Sequence, residues 1–267
     1  MIYFDKKYEE KRGRTMIFDY HIHTKFSCDS EARLEDYIEC AKGKNIKALC
    51  FTDHVDFNKN DYGVGYYNPD KFFEEYNKAK SIEDEIMICS GIEFSEPHLY
   101  NDKLQELSKY PYDYIIGSVH WIGDMFPCHE VREKYSAKEF YLLYWNEVLE
   151  MVRNGGFDCV GHIDFPKRYY GEIYYEEKVM REIFKEMIDK NIILEINTSS
   201  LRKGIDEPMP GKELLQLYIK CGGKYVTVGS DAHEVKDLGA DFEPVDNLMK
   251  QLGLKQVIFK QRKMVEV

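Results

Sequence analysis

The residues best suited to chemistry in this chain are histidines and carboxylates that close short apolar runs. His21 and His23, in Asp19-Tyr20-His21-Ile22-His23, follow Met16-Ile17-Phe18. Alternate residues of a β-strand point the same way, so a strand here aims both imidazoles at one point. Converging imidazoles suit a metal ion, whereas a single His-x-His on its own reads equally well as a half-buried core pair. Recurrence favours the metal. Thr52-Asp53-His54, Gly91-Ile92-Glu93, Ser118-Val119-His120, Gly161-His162 and Gly229-Ser230-Asp231-Ala232-His233 each close another apolar, β-branched run. Six strand ends thus carry nitrogen or oxygen donors.

The elements that must position them alternate in type. Strands are expected at 46–51, 86–94, 114–119, 157–160, 192–196 and 225–229, with helices at 31–44, 69–80, 101–109, 137–154, 174–190 and 211–221. Leu34, Ile38 and Ala41 share one helical face, as do Leu214, Leu217, Tyr218 and Cys221. Ser136 with Glu139 three residues on makes a capping box, and Gly155-Gly156 ends that helix. Residues 56–68 hold glycines, tyrosines and asparagines without periodicity, as in a loop that covers a site. A second loop spans 121–135, and the tail suggests a helix at 244–252 and a strand at 257–259. Regular alternation without repeat or linker predicts a parallel sheet. Because every candidate ligand falls at a strand's C-terminal end, the sheet is expected to close into a barrel with its active site on that face.

Composition narrows the function. With 267 residues and 43% hydrophobic content, one α/β domain over 16–267 is expected, preceded by a charged, aperiodic extension at 1–15. A net charge of -11 argues against nonspecific nucleic-acid binding and for a small substrate. The seven cysteines include no Cys-x-x-Cys pair and read as reduced thiols. No apolar run approaches the roughly 20 residues that span a bilayer, so a cytoplasmic protein with no membrane partner is expected.

The order of these motifs resembles the polymerase-and-histidinol-phosphatase (PHP) superfamily, and within it the monofunctional histidinol-phosphatases, over residues 16–233. The resemblance implies a distorted seven-stranded (β/α) barrel holding three divalent metal ions. It implies hydrolysis of L-histidinol phosphate to L-histidinol and inorganic phosphate, in histidine biosynthesis, with a metal-bridging hydroxide as nucleophile. Carried over by motif, His21, His23 and Asp231 bind the first ion, and Glu93 bridges it to a second held by His120 and His162. Asp29, His54 and His233 take the third. Glu93, Asp231 and His233 stand at the catalytic centre. Many members carry histidine where this chain has Asp29; an aspartate still ligates and favours manganese or iron over zinc, leaving those three metals open.

Ions in the pocket also explain how an acidic protein could accept an anion, since their local charge outweighs distant carboxylates. Lys167, Arg168 and Arg202, in Pro166-Lys167-Arg168 and Asn197-Thr198-Ser199-Ser200-Leu201-Arg202-Lys203, are expected to rim the mouth and grip phosphate. Asp19 and Asp53 read as acceptors for ligand N–H groups or as turn residues, and His98 and His129 as loop or surface histidines. Alternatives are a PHP phosphoesterase acting on a nucleotide or a phosphotyrosine protein, and a metal-holding regulatory protein without turnover.

Overall fold

The computed structural model describes residues 17–44, 46–83 and 85–267; the expected extension at 1–15 lies outside them. Alternation along the strands sorts side chains into two apolar clusters. Ile88, Ile92 and Phe94 pack with the helices, whereas Cys89 joins a smaller cluster with Phe18, Tyr20, Cys50, Tyr114 and Cys159. That smaller cluster is the barrel's interior.

Among the described residues nine strands follow one another in chain order: β1 (Ile17–Ile22), β2 (Ile46–Val55), β3 (Met87–Ser95), β4 (Tyr114–Ser118), β5 (Cys159–Val160), β6 (Ile193–Asn197), β7 (Tyr225–Gly229), β8 (Lys255–Lys260) and β9 (Lys263–Glu266). Pairing is parallel from β1 to β8, and β9 returns antiparallel to β8. At the C-terminal end, Ile22 bridges Ala232, with His23 N donating to Ala232 O at 2.9 Å and Asp231 N to His21 O at 2.8 Å. There β1 meets the segment leaving β7. At the other end the β8–β9 hairpin sends Val257, Phe259 and Val265 into the inner cluster, and Tyr20 donates its hydroxyl to Phe259 O at 2.9 Å. The architecture is the expected α/β distorted barrel of seven strands, with a two-strand hairpin as its floor.

The helices are α1 (Leu34–Gly43), α2 (Pro69–Ile82), α3 (Asn101–Leu107), α4 (His129–Arg132), α5 (Ala137–Asn154), α6 (Lys167–Tyr170), α7 (Glu177–Asp189), α8 (Ser199–Arg202), α9 (Lys212–Lys220) and α10 (Phe242–Leu252). Asn68 accepts from Lys71 N at 3.0 Å and starts α2, with Pro69 at its first position. The Ser136–Glu139 capping box is present, and Gly155, at φ 68°, ends α5. On α7, Met180, Ile183, Phe184 and Met187 form one buried stripe, each side chain contributing about 1.5–3 kcal/mol. Among the described residues no helix is long and apolar enough to cross a membrane.

Three departures from expectation matter for the site. β2 does not stop at Phe51 but runs through His54 to Val55, so that expected ligand sits in the strand. The 121–135 stretch, expected as a loop, contains the single-turn helix α4, and the stretch that carries Arg202 forms another, α8. The first helix begins at Leu34 rather than Glu31.

Candidate metal centre

A bulge in β1 aims the first two expected ligands, His21 and His23. Asp19 pairs with Leu49 and Ile22 with Phe51, so β1 spends one residue more than β2 between those pairs. An extra residue shifts the alternation by one, which lets Phe18 and Tyr20 face the floor cluster while His21 and His23 face the mouth. Gly229 makes room beside them: a Cβ there would lie 2.3 Å from His21 Cβ and 2.5 Å from Glu195 Oε1.

Glu93, fully buried on β3, is the hub. Its Oε1 lies 2.7 Å from His162 Nε2 and 3.4 Å from His120 Nε2, and accepts from Ser118 Oγ at 2.6 Å. Its Oε2 lies 3.2 Å from His21 Nε2, 3.0 Å from His54 Nδ1 and 3.6 Å from His23 Nε2. Burial would raise Glu93, but the imidazoles of His21, His162, His54 and His120 outweigh it and hold the carboxyl well below its ordinary value. Burial likewise opposes charge on His21 and His120, yet Glu195 with Glu93 lifts the first well above its ordinary value, and Glu93 lifts the second to about 10. His23 differs: burial and the neighbouring His54 and His233 rings push it well down, toward the neutral form.

Asp231 looks two ways. Its Oδ1 is 3.3 Å from His23 Nε2 and 3.5 Å from His233 Nδ1, while Oδ2 accepts from Arg168, Asn197 and Ser199. Asp29 Oδ2 stands 3.0 Å from His233 Nε2 and 3.6 Å from His54 Nε2. All nine expected ligands therefore meet in one place. Four sets of three donors have their atoms within 4.8 Å of one another: His23–His54–His233, His21–His23–Asp231, His21–Glu93–His162 and His54–Asp56–His120.

Two relays orient the rings, and each has a serine in the middle. Ser27 donates to Asp53 at 2.9 Å, so its oxygen is the acceptor for His23 Nδ1–H at 3.1 Å. Ser95 donates to Asp56 at 2.5 Å and accepts from His120 Nδ1–H at 2.9 Å. In the first relay His23 Nε2 is left with a lone pair, buried and without a hydrogen-bond partner; His162 Nδ1 is orphaned too. Buried polar atoms without partners are rare in folded proteins, and a divalent ion is a fitting occupant for lone pairs that face carboxylates. The donor set of imidazoles and carboxylates fits such an ion.

From sequence, Asp19 and Asp53 read as acceptors for ligand N–H groups or as turn residues. Asp53 reaches a ring only through Ser27 and also holds Thr24, while Asp19 takes the turn role, accepting from Ser230 N and Gly239 N, both at 2.9 Å, and pinning the segment after β7. The direct acceptors are Ser27, Ser95, the Asp231 carbonyl, 3.1 Å from His233 Nδ1, and Glu195, whose Oε1 is 2.6 Å from His21 Nδ1 and whose Oε2 accepts from His162 N at 2.7 Å. Glu195 was missed although a lone carboxylate inside Ile192-Ile193-Leu194-Glu195-Ile196 is a readable signal. Asp56 was missed as an extra donor because it lies beyond the strand end.

The cluster floors a cavity of about 590 Å³. Arg168 and Arg202 lie on its wall, with Lys203, Lys236 and, from the 56–68 loop, Asp61 and Tyr62. Arg168 bonds Ser199 Oγ at 2.6 Å and pairs with Asp231, yet its buried Nε has no acceptor. Arg202 donates to Ser230 O at 2.6 Å. Lys167, expected at the rim with them, lies behind the wall: it is 3% exposed and its ammonium is held by Glu207. Residue neighbours on a helix turn about 100° apart, so Arg168 faces the cavity where Lys167 cannot. His98 pairs with Glu147 at 2.7 Å and His129 sits exposed beside Glu133, both outside the cluster.

Comparison with known proteins agrees with the geometry. The PHP domain family matches residues 19–199. The chain is 32% identical to a probable histidinol-phosphatase of Clostridium acetobutylicum, covering 93% of this chain and 99% of that protein. It is 29% identical to the histidinol-phosphatase of Lactococcus lactis, covering 90% and 92%. The crystal structure of the L. lactis histidinol phosphate phosphatase complexed with zinc, L-histidinol and phosphate resembles it with a TM-score of 0.82 at 28% identity, over 94% of this chain and 99% of that one. A chain matched along nearly its whole length in sequence and in fold, with the donors gathered at one barrel mouth, belongs to the PHP family and to its histidinol-phosphatases.

Proposed function

We propose that the protein hydrolyses L-histidinol phosphate to L-histidinol and inorganic phosphate with divalent metal ions held at the barrel mouth. The observation that carries the reading is the near full-length likeness to a structure that binds zinc, L-histidinol and phosphate, joined to orphaned donors in the same cavity of this chain. Three ions are proposed: one held by His21, His23 and Asp231, a second by His120 and His162 with Glu93 between the two, and a third by Asp29, His54 and His233. Bound there, divalent ions make water nucleophilic at neutral pH and neutralise phosphate oxygens.

The protein's own part is placement. Glu93 sets the spacing of the donors around it, and Glu195 and Ser27 fix the ring planes of His21 and His23. Arg168 is held over Asp231 by Ser199 with its guanidinium on the cavity wall, within reach of a phosphate, and Arg202 contributes a second guanidinium. Asp231 thus links the catalytic donors to the phosphate grip, and Glu93 and His233 flank the same space. The lid expected at 56–68 supplies Asp61 and Tyr62 to the cavity, the former accepting from Trp121 Nε1 at 2.8 Å.

The test is phosphate release from a panel of phosphomonoesters by protein reconstituted with manganese, iron(II) or zinc, with elemental analysis alongside. Histidinol phosphate should give the highest kcat/KM, with three equivalents of metal. A nucleotide or phosphotyrosine peptide turning over faster would reassign the substrate. One tightly bound ion in active protein would refute the trinuclear centre, and metal uptake without turnover on any ester would indicate a metal-holding protein.

A further inference from the structure

The phosphate grip is divided between two short segments that share no strand. Arg168 rides on α6, after β5, and Arg202 on α8, after β6. Single-turn helices have little stability of their own, so something must hold their relative position. The 198–208 loop that begins with α8 is pinched at its base, where Asn197 N donates to Met209 O at 2.8 Å and Met209 N to Asn197 O at 3.0 Å. It is also tied across, Ser200 Oγ donating to Glu207 O at 2.7 Å. Glu207 therefore moves with Arg202.

Two contacts join this loop to α6. Inside the cavity Arg168 bonds Ser199 Oγ; behind the wall Lys167 bonds the Glu207 carboxylate. The first is the weaker anchor once substrate binds, because a phosphate oxygen competes for the same guanidinium. The second faces away from the substrate. Beneath it, Asp164 is fully buried, both its oxygens lack a hydrogen-bond partner, and Lys167 Nζ is its nearest cation at 3.8 Å. A buried ammonium between a buried carboxylate and a half-exposed one has its geometry dictated from both sides.

We propose that Lys167 is a positioning residue: through Glu207 on one side and Asp164 on the other it locks α6 to the 198–208 loop, and so fixes Arg168 and Arg202 at the separation that grips phosphate. This rests on the proposed phosphatase reading, and gives Lys167 a place in the reaction without contact to substrate.

The experiment measures binding of inorganic phosphate to the metal-loaded protein by calorimetry, together with KM for histidinol phosphate and metal content. Glu207→Gln is the primary variant, since Glu207 is half-exposed, glutamine keeps its shape, and Asp164 still faces the buried Lys167 ammonium; Lys167→Met and the double variant complete a cycle, and Lys167→Arg is the rescue. In Glu207→Gln the phosphate dissociation constant and KM should rise together, about tenfold, with metal content unchanged. The double variant should be no worse than Lys167→Met alone, and Lys167→Arg should recover part of the affinity. Phosphate affinity unchanged in Glu207→Gln and Lys167→Met, even with a lowered melting temperature, would make the pair a purely structural contact and overturn the proposal, as would additive losses in the cycle. Failure of the phosphatase reading would show separately, as wild-type protein that binds phosphate and does not turn over histidinol phosphate.

Discussion

On β3 the inward residues climb from Cys89 through Gly91 to Glu93, and on β6 from Ile193 to Glu195 and Asn197. The lower members join the floor cluster of Phe18, Tyr20, Tyr114, Val257 and Phe259, while the upper ones line the donor cluster. The floor is apolar and its few polar atoms are paired, as with Tyr114 and Thr227 at 3.0 Å. The mouth buries Glu93, His21, His23 and Glu195 almost completely, with His23 Nε2 orphaned among them. Burying such groups is costly unless each finds a partner. The contrast teaches that stability is drawn from one end of the barrel and spent as preorganisation at the other.

Substitutions at the two ends should separate these roles. The largest effect is expected on the floor: Phe259→Ala, 4% exposed in the wild type, should lower unfolding free energy in denaturant titrations by about 3–5 kcal/mol, with turnover per folded molecule unchanged. Loss of turnover at full occupancy of the fold would show that the ends are coupled. At the mouth, Glu93→Gln should cost more activity than the roughly 10- to 100-fold typical of losing a ligand's own partner, and more than Asp29→Asn, which borders fewer donors. Equal losses in the two, with metal content intact, would break the hub assignment.

Glu195→Gln should sharpen the contrast further. Its carboxylate orients His21 without joining the donor sets, so metal affinity should fall by about 10- to 100-fold in competition with a chromophoric chelator, while the metal-free protein keeps its denaturation midpoint. The smallest effect is expected at the wall, where Arg202→Ala should lower kcat/KM roughly tenfold at unchanged metal content, and lysine should rescue only in part because it lacks the planar fork. Kinetics like wild type would move Arg202 out of the grip.

Much of this was legible before the structure because strand ends punctuate the sequence. His21, His23, His54, Glu93, His120, His162, Asp231 and His233 each follow an apolar run, so their convergence needed only a closed parallel sheet. Asp29 was found by resemblance alone, since it sits in a polar turn. What could not be read depends on backbone geometry. The extra residue in β1 leaves no mark in Asp19-Tyr20-His21-Ile22. The β8–β9 hairpin turns at Gln261 and Arg262, with φ of 50° and 61°, where glycine or asparagine would have signalled the turn. Their unfavourable conformation is held from outside, by Asp113 accepting from both backbone N–H groups at 2.9 Å and by Asp158 pairing with the Arg262 side chain. The seating of Lys167 was also beyond reach, because the polarity of a lysine argues for solvent and what reverses that is Glu207, distant in sequence, together with the burial of the nearby Asp164.

The floor hairpin also sets a timetable. Tyr20 and Phe259, joined by one hydrogen bond, are 239 positions apart, and at about 5–20 residues per second of synthesis the second emerges from the ribosome roughly 10 to 50 s after the first. During that interval the strands accumulate without a base, leaving Phe18, Tyr20 and, as each is made, the Cys50, Cys89 and Cys159 thiols uncovered. Contacts so distant in sequence are slow to form, so the growing chain keeps this apolar surface exposed until the β8–β9 hairpin arrives.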